Sequence, residues 1–499
     1  MKRIALAAAF LLMSSPTWAN GYVAPPFNLH EYAVVHERTT LPASYDARKE
    51  GVVLPVRNQL VEGTCWAFAA CDALQTMFYK NELECGYLSP QSFVTCFQGF
   101  TAEPVTKGGN EVVATSMLAR MEGIVTEEGL PYNPSNVSCV NYDKNYTPAL
   151  SLGWNYLPKN DAIAIKQQIM QYGSVSAAYR HDSKYYNAER NFYEYKGEEP
   201  VNHGITIVGW DDAKGAWLCK NNWGAYLHDE GFLWISYNDS HISTTCTSYT
   251  NITPLNSIDK AYHYNTVGMT GSWGLDIPDI LSDGIVKFQF DQPENLVAMG
   301  TYVTAPNILI RFTVFTKTEV LYQSEVFEVP YRGFYKHTME TPLSVAGPVY
   351  VSVTYYGGTH SIPAEYTCEN FCIISPVKGK QWVRFDNPNY IPSYDEDWIP
   401  VGDGTEYDIN LCIYAYTKER TTSVNESAAN YPSVFDGTGI APTAWDTAKR
   451  MVLYATNGKI LKTLTADDCS LPSLTPGTYV LSVEQWDGSV YGEKIWIRQ

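Results

Sequence analysis

The run Gln-Leu-Val-Glu-Gly-Thr-Cys-Trp-Ala-Phe at residues 59–68 places Cys65 directly after a glycine-containing turn and at the start of an apolar stretch. The stretch from Trp66 to Met77 is rich in good helix formers, which predicts a buried helix that begins near Cys65. A thiol at a helix N-terminus lies at the positive end of the macrodipole, which favours the nucleophilic thiolate. The run therefore points to a catalytic cysteine, although a lone cysteine is more often plain core packing.

Two later segments supply the groups that a catalytic cysteine needs. Residues 201–210 read as a buried strand with His203 near its start, and residues 216–224 read as the next strand, running into a turn at Asn221. A cysteine nucleophile needs a base, and the base needs a third group that fixes its tautomer and ring orientation. Cys65, His203 and Asn221 provide these three groups in chain order.

This constellation and its flanks resemble the papain-like cysteine peptidases over about 215 residues, from Leu41 to roughly Pro254. His203 follows Cys65 by 138 residues and Asn221 follows it by 156, close to the family spacing of roughly 130–150 residues. The resemblance implies an α+β fold with two lobes. The helical lobe would carry Cys65, the β-rich lobe would carry His203, and the cleft would lie between them.

The resemblance extends to residues that would line this cleft. Gln59 lies six residues before Cys65, at the family spacing of the oxyanion-hole glutamine, whose amide donates together with the Cys65 backbone N–H. Gly108 and Gly109 resemble the glycine edge that a peptide backbone approaches closely. Trp223 matches the indole that shields the histidine–asparagine hydrogen bond from water.

By the same resemblance, Val201 and Gly204 border the pocket for the side chain that precedes the scissile residue. Both residues are small, so the sequence predicts a roomy apolar pocket that prefers Leu, Val or aromatic side chains. Asn202 and Asn222 replace an aspartate and a serine that are common in the family, and neither change removes a catalytic group.

The cysteines also depart from the family pattern. Glu62 and Thr106 stand where the family usually has a disulfide pair, so both halves of that bridge are absent together. Cys96 and Cys139 fall where the family places a second disulfide, and the resemblance implies that bridge. The pairing of Cys246 stays open.

The N-terminus predicts export. Lys2 and Arg3 precede an apolar run from Ile4 to Met13, and small residues lead to Ala19, which is typical of a secretory signal peptide over residues 1–19. The apolar run is ten residues long, too short to span a bilayer, and no other stretch approaches about 20. We therefore expect a secreted or cell-surface protein without a transmembrane span.

Charge and histidine spacing narrow the partners. The formal net charge is −18, or about −20 without the signal, and no cluster of lysine and arginine occurs. This balance argues against nucleic acid or an anionic membrane as a partner. The histidines lack metal-ligand spacing, so no metal or organic cofactor is implied. Proteins and peptides are the expected substrates.

Residues 20–40 form a short segment ahead of the peptidase region. Papain-like zymogens usually carry a helical inhibitory propeptide several times longer. Residues 22–26 could lie extended in or beside the cleft, or the segment could pack as an arm on the back of the domain. The sequence favours neither arrangement.

After Pro254 the helical signals fade. Turn residues separate strand-like runs at 285–290, 308–315, 349–356 and 410–417, which predict a β-sandwich over residues 258–418. Residues 261–265, 294–300 and 411–416 resemble the lectin-like domain that follows bacterial papain-like peptidases. The resemblance implies carbohydrate as a further partner, while a structural platform against the peptidase fits at least as well.

The C-terminal part predicts a separate small domain. Residues 419–432 are polar and read as a linker. Residues 433–499 hold short strand-like runs at 450–455, 458–464, 477–483 and 492–497, with a hairpin signal at Asn457-Gly458. This pattern resembles the C-terminal sorting domains of the type IX secretion system, which implies the secretion machinery as a partner. An adhesive or stabilising β-domain is the alternative.

Together these features predict an exported cysteine endopeptidase with its catalytic domain at residues 41–255, acting through an acyl-enzyme on Cys65. The endopeptidase mode follows from the lack of a His-rich insertion that would block one end of the cleft. The alternative is a surface adhesin or glycan-binding protein that uses the peptidase domain as a scaffold, but such a protein would be expected to have lost a catalytic residue. A transglutaminase also uses cysteine and histidine, yet the Trp223 and Gly108–Gly109 contexts favour peptide hydrolysis.

Overall fold

The computed structural model describes most of the chain, in two compact units that divide after Glu419. The described residues are 21–36, 40–95, 99–101, 108–122, 124–135, 144–275, 277, 280–357, 361–385, 398–419, 434–435, 439–455, 459–486 and 490–497. The predicted signal peptide, both cysteines of the predicted Cys96–Cys139 bridge and residues 420–432 of the predicted linker lie outside these ranges. The nine cysteines within them form no disulfide.

The first part of the larger unit contains the helices. They are α1 (Cys65–Lys80), α2 (Gln91–Thr95), α3 (Glu111–Ala119) and α4 (Ala162–Tyr172). Helix α1 begins at Cys65, directly after the glycine-containing turn, and is buried from Cys65 through Phe78. It is therefore a core helix whose buried surface is mostly apolar, and its buried Asp72 is paired with Arg57 and Lys220.

The strands of this part form the β-rich lobe. They are β1 (Ser44–Asp46), β2 (Trp154–Tyr156), β3 (Val175–Tyr179), β4 (Tyr186–Asn187), β5 (Phe192–Tyr193), β6 (His203–Asp211), β7 (Ala216–Lys220), β8 (Phe232–Ser236) and β9 (Thr247–Tyr249). Strand β6 pairs antiparallel with β1, β3 and β7.

Strand β6 is buried on both faces. Its side chains point alternately toward α1 and toward α4. Thr206 faces α1, where its hydroxyl donates to the Ala69 carbonyl at 3.3 Å. Ile205 and Ile207 point the other way and pack in a cluster with residues of α4. This packing places the N-terminal end of β6, where His203 lies, against the N-terminus of α1.

The second part of the larger unit is a β-sandwich. Its strands are β10 (Lys260–Tyr262), β11 (Gly271–Trp273), β12 (Leu281–Val303), β13 (Ile308–Phe315), β14 (Val320–Gln323), β15 (Phe327–Val329), β16 (Arg332–Tyr356), β17 (Ile362–Glu365), β18 (Gln381–Phe385), β19 (Ile399–Val401), β20 (Asn410–Leu411) and β21 (Ile413–Glu419). Strands β12 and β16 span 23 and 25 residues and pair antiparallel. The sequence predicted only a piece of each, because a register shift between Phe290 and Glu294 interrupts the apolar alternation.

The first part of the larger unit, which contains the helices, shares a core with the sandwich. Strand β2 pairs with β16, and the Trp154 and Phe334 rings stack with centroids 4.7 Å apart. The Tyr416 hydroxyl of β21 donates to the Ala119 carbonyl at the end of α3, at 2.9 Å. Burial of these large side chains joins the two parts within one compact unit.

The smaller unit is a four-stranded antiparallel sheet in the order β23–β22–β24–β25. Its strands are β22 (Ala448–Ala455), β23 (Ile460–Leu464), β24 (Gly477–Gln485) and β25 (Val490–Ile497). Before it, Glu419 belongs to β21 and not to the linker that the sequence predicts from this residue, because it pairs with Glu294 of β12. Among the described helices, none has the length and apolar character needed to cross a membrane.

Candidate active site

Cys65 is fully buried at the N-terminus of α1. Its Sγ accepts a hydrogen bond from the Gly204 N–H at 3.1 Å. A Cβ on Gly204 would lie within 3.0–3.1 Å of the backbone of Cys65 and Trp66, so a larger residue here would require β6 and the helix to move apart by a few tenths of an ångström. Because Gly204 follows His203, this contact brings the predicted nucleophile and the predicted base to the same point of the cleft.

The His203 ring is oriented by Asn221. The distance from His203 Nε2 to Asn221 Oδ1 is 2.9 Å, and the same Oδ1 accepts the backbone N–H of Asn222 at 2.9 Å. A backbone N–H only donates, so this amide atom is the oxygen and Nε2 must carry the proton. The tautomer therefore leaves Nδ1 as the basic nitrogen. The Trp223 ring covers the imidazole with centroids 4.2 Å apart.

Gln59 lies beneath the turn that precedes Cys65. It is fully buried, and its Nε2 donates to the Glu62 carbonyl at 2.7 Å. A primary amide carries two N–H donors, so this bond does not exhaust its capacity to donate. Its backbone N–H donates to the Asn222 carbonyl at 2.8 Å, which ties the turn to the segment that carries Asn221.

Asn222 is a site residue that the sequence indicates only as a departure from a common serine. Its Nδ2 donates to the Gly204 carbonyl at 3.0 Å and to the Cys65 carbonyl at 3.3 Å. One side chain therefore joins the helix of the nucleophile to the strand of the base. The sequence signal for this role is a second asparagine directly after Asn221, but only the fold shows what Asn222 contacts.

Residues 21–36, which we call the strap, enter the cleft at their N-terminal end. Gly21 is placed so that a Cβ on it would come within 2.8 Å of Cys65 Sγ and 2.5 Å of the Gly63 carbonyl carbon. A Cβ on Gly108 would come within 2.4 Å of the Gly21 carbonyl oxygen. Close approach of two glycine backbones therefore lets the strap cover the sulfur.

The next strap residues pair with the glycine edge in parallel. The Gly109 N–H donates to the Gly21 carbonyl at 3.0 Å, and the Val23 N–H donates to the Gly109 carbonyl at 3.0 Å. The Tyr22 N–H donates to the Asn202 carbonyl at 3.2 Å. The strap thus runs away from the sulfur in the N-to-C direction. A substrate that places in this pocket the side chain preceding the scissile residue would run toward the sulfur in the N-to-C direction. The strap would therefore run opposite to such a substrate.

The Tyr22 side chain fills the pocket beside Cys65. Its hydroxyl donates to Glu111 Oε2 at 2.6 Å, in a buried contact. Burial, followed by the negative charge of Glu111, holds the pKa of Tyr22 well above its usual value, so the hydroxyl stays protonated. Gly204 lines this pocket, and Val201 is half-buried against the same core cluster that contains Tyr22 and Cys65. The sequence predicted a purely apolar pocket, whereas the structure places the Glu111 carboxylate in it.

The strap changes the electrostatics of the nucleophile. Burial raises the pKa of Cys65 to about 12, although hydrogen bonds from the backbone N–H groups of Gly204, Trp66 and Gly21 act to lower it. With the strap in place the thiol is therefore protonated at neutral pH. Burial therefore outweighs the backbone hydrogen bonds and the helix N-terminus, which favour the thiolate.

The distal part of the strap is anchored on both parts of the larger unit. The Phe27 ring packs edge-on against Phe371 of the sandwich, with centroids 5.8 Å apart. His36 Nε2 lies 2.6 Å from Asp161 Oδ2, at the start of α4. Both contacts lie C-terminal to the residues that enter the cleft, and they hold the segment where it leads away from the cleft.

Comparison with known proteins shows what this region is similar to. Residues 41–252 match the family model described as papain family cysteine protease. The chain is 31% identical over 217 residues to a cathepsin L-like peptidase of Aedes aegypti, which covers 42% of this chain and 63% of that protein. It is 30% identical over 206 residues to cathepsin K of Mus musculus, with 40% and 61% covered. The chain therefore spans less than two thirds of the length of these relatives.

Solved structures extend the likeness beyond the peptidase domain. The cysteine protease and lectin-like domains of Cwp84, a surface layer associated protein of Clostridium difficile, align with a TM-score of 0.66 at 20% identity, covering 81% of this chain and 93% of that one. A structure of clostridial Cwp84 after propeptide cleavage aligns with a TM-score of 0.63 at 20% identity, covering 75% and 99%. At this identity the likeness shows the fold, a papain-like domain joined to a lectin-like β-domain.

Proposed function

We propose that this chain is a cysteine endopeptidase that hydrolyses peptide bonds through an acyl-enzyme on Cys65. The observation that carries the proposal is the meeting of Cys65 Sγ with the residue after His203, at 3.1 Å, while His203 Nε2 is held by Asn221 at 2.9 Å. This is a nucleophile beside a base whose tautomer is fixed by a third group.

In the proposed reaction, His203 Nδ1 takes the thiol proton and the sulfur attacks the substrate carbonyl carbon. The oxyanion accepts hydrogen bonds from the Gln59 amide and the Cys65 backbone N–H. His203 then gives its proton to the departing amine as the peptide bond breaks. A water molecule, deprotonated by the same imidazole, hydrolyses the thioester and returns the thiol. Gly108 and Gly109 would bind the substrate backbone, and Trp223 would shield the imidazole.

The strap would keep this enzyme inactive. It covers the sulfur, fills the adjacent pocket with Tyr22, and runs opposite to a substrate, so it presents no carbonyl in the orientation for attack. Displacement or cleavage of residues 21–36 would then open the cleft. A reversed, backbone-paired segment supports this regulation better than the alternative of an arm packed on the back of the domain.

An active-site titration tests the proposal. An epoxide-type thiol inhibitor should label Cys65 slowly in the full chain and faster in Tyr22→Ala, where the strap has lost its buried side chain. Cys65→Ala provides the control for labelling elsewhere. Cleavage of a peptide library should follow the labelled fraction. If Cys65 stays unlabelled in folded Tyr22→Ala, and no peptide is cut, the peptidase domain is a scaffold and the adhesin alternative is favoured.

We further propose that the protein is exported through its signal peptide, with the smaller unit acting as a sorting domain and the sandwich as a platform that carbohydrate could also bind. Truncation after Asn430 in the native host tests the sorting role. The truncated protein should lose surface or medium localisation while the purified fragment keeps its peptidase activity. Normal localisation of the truncated protein would remove the sorting assignment and leave a stabilising or adhesive domain.

A further inference from the structure

We propose that Glu111 makes the pocket beside Cys65 select side chains that end in a hydrogen-bond donor, tyrosine above phenylalanine and arginine above an apolar chain of similar length. This inference rests on the proposed peptidase function and names its substrate class. It differs from the sequence-based expectation of a purely apolar pocket.

The carboxylate is built into the pocket by the start of α3. Glu111 is the first residue of the helix and is only 7% exposed, while Asn110 caps the helix by accepting the N–H groups of Val112 and Val113. A carboxylate in the first turn is stabilised by the helix macrodipole. Glu111 therefore offers a fixed, negatively charged hydrogen-bond acceptor at the inner end of the pocket.

The pocket is otherwise mainly apolar and fits an aromatic ring. Its walls include Trp66, Ala69, Ala70, Ala177, Gly204 and Tyr249. About 10 Å³ of space remains when Tyr22 occupies it. A flat side chain with a donor at its far end therefore satisfies both the walls and the carboxylate.

Within the described residues, the two groups that contact the Glu111 carboxylate both come from the strap. Tyr22 donates to Oε2 at 2.6 Å, and His30 Nε2 lies 3.6 Å from Oε1. Both leave when the strap leaves, so an open cleft presents the carboxylate without these partners. A substrate side chain that ends in a donor would replace the lost contact, and a hydrogen bond to a charged acceptor is stronger than one to a neutral acceptor.

The contact with Glu111 does not depend on the direction of the backbone. The strap and a substrate run oppositely along the glycine edge, but both place one side chain in the same pocket. The side chain meets Glu111 at the pocket's inner end in either case. Tyr22 therefore reports which side chain the pocket accepts.

Turnover of matched peptides tests the inference in the Tyr22→Ala background. Peptides that differ only at the residue before the scissile one should show kcat/KM at least about 10-fold higher for Tyr than for Phe, and for Arg than for norleucine. Glu111→Gln should remove the preference for Arg, and Glu111→Leu should bring Tyr level with or below Phe. Glu122→Gln, the same change just beyond the C-terminal end of α3, should leave both ratios unchanged.

Binding separates this inference from the proposed function. In Cys65→Ala/Tyr22→Ala, the Kd of the Tyr peptide should be at least about 10-fold below that of the Phe peptide even if no turnover occurs in the parent. Equal Kd values and equal turnover for Tyr and Phe peptides would overturn the role of Glu111. A retained Tyr preference in Glu111→Leu, with unchanged melting temperature, would overturn it as well. If Glu111→Leu does not fold, the Tyr–Phe and Arg–norleucine ratios of kcat/KM, measured with and without Glu111→Gln, still test the role of Glu111.

Discussion

The strap and the seam between the two parts of the larger unit both join segments that are distant in the chain, but they do so with different chemistry. The strap enters the cleft through backbone hydrogen bonds to Gly109 and Asn202, and its Tyr22 and His30 side chains make buried contacts with Glu111. The seam is a paired strand edge, β2 with β16, covered by stacked aromatic rings such as Trp154 and Phe334.

This difference shows which contact is built to be exchanged. Backbone hydrogen bonds to the glycine edge can be replaced one for one by a substrate, so their net cost of release is small. A buried aromatic seam has no such replacement, because opening it exposes apolar surface to water. We therefore expect changes in the cleft to alter activity without altering stability, and changes in the seam to do the opposite.

The largest expected effect is catalytic and belongs to the cleft. His203→Ala removes both the base for the thiol and the acid for the departing amine, roles worth about 10²–10⁴ each in rate. Its kcat/KM should fall near the Cys65→Ala background, while Asn221→Ala, which loses only orientation, should keep measurable turnover. Steady-state kinetics in the Tyr22→Ala background measure this, and unchanged melting temperatures provide the control. Equal losses at unchanged stability would mean that Asn221 does more than orient the ring.

The second effect belongs to the seam. Trp154→Ala should lower the free energy of unfolding by about 3–5 kcal/mol, because it leaves a cavity among Tyr302, Phe334 and the paired strands. Chemical denaturation should show a single weakened transition for the larger unit. Trp486→Ala is the matched control, since that side chain is 69% exposed and its loss should change stability by at most about 0.5 kcal/mol. A peptidase transition that stays in place while the sandwich unfolds would show that the seam does not couple them.

A smaller effect should come from the strap. Tyr22→Phe keeps the ring but removes the hydrogen bond to Glu111, which is worth about 1.5–3 kcal/mol for a charged acceptor. The rate at which an epoxide labels Cys65 should rise by about 10-fold or more, with little change in melting temperature. Tyr185→Phe, at a tyrosine exposed on the surface, should leave the labelling rate unchanged. An unaltered rate in Tyr22→Phe would assign closure to the backbone pairing alone.

The smallest expected change is in pH dependence. With the strap in place the pKa of Cys65 is raised to about 12 by burial, so thiolate is scarce at neutral pH and alkylation should rise steadily with pH through the alkaline range. Opening the cleft with Tyr22→Ala rehydrates the sulfur and should move the profile to lower pH, because each unit of lowered pKa raises the thiolate fraction tenfold. The pH dependence of iodoacetamide labelling measures this shift. Superimposable profiles would show that the strap does not control the ionisation of the thiol.

Local sequence signals were strongest where one element determines its own structure. The glycine turn before Cys65 and the apolar run after it predict α1, and the buried runs around His203 and Asn221 predict β6 and β7. The resemblance predicted from Leu41 to roughly Pro254 agrees with a papain-family match over residues 41–252. The long strands β12 and β16 were underestimated because a bulge breaks their alternation.

By itself, the sequence determined the similarity to papain-like peptidases and named the candidate residues of the cleft, because these depend on short motifs at fixed spacing. Only the tertiary structure decided that Tyr22 fills the pocket, that Glu111 receives its hydroxyl, and that Asn222 joins α1 to β6. Tyr22 and Glu111 are 89 positions apart, and Asn222 and Cys65 are 157 apart. Such contacts arise from the packing of whole elements, and no local propensity or periodicity encodes them.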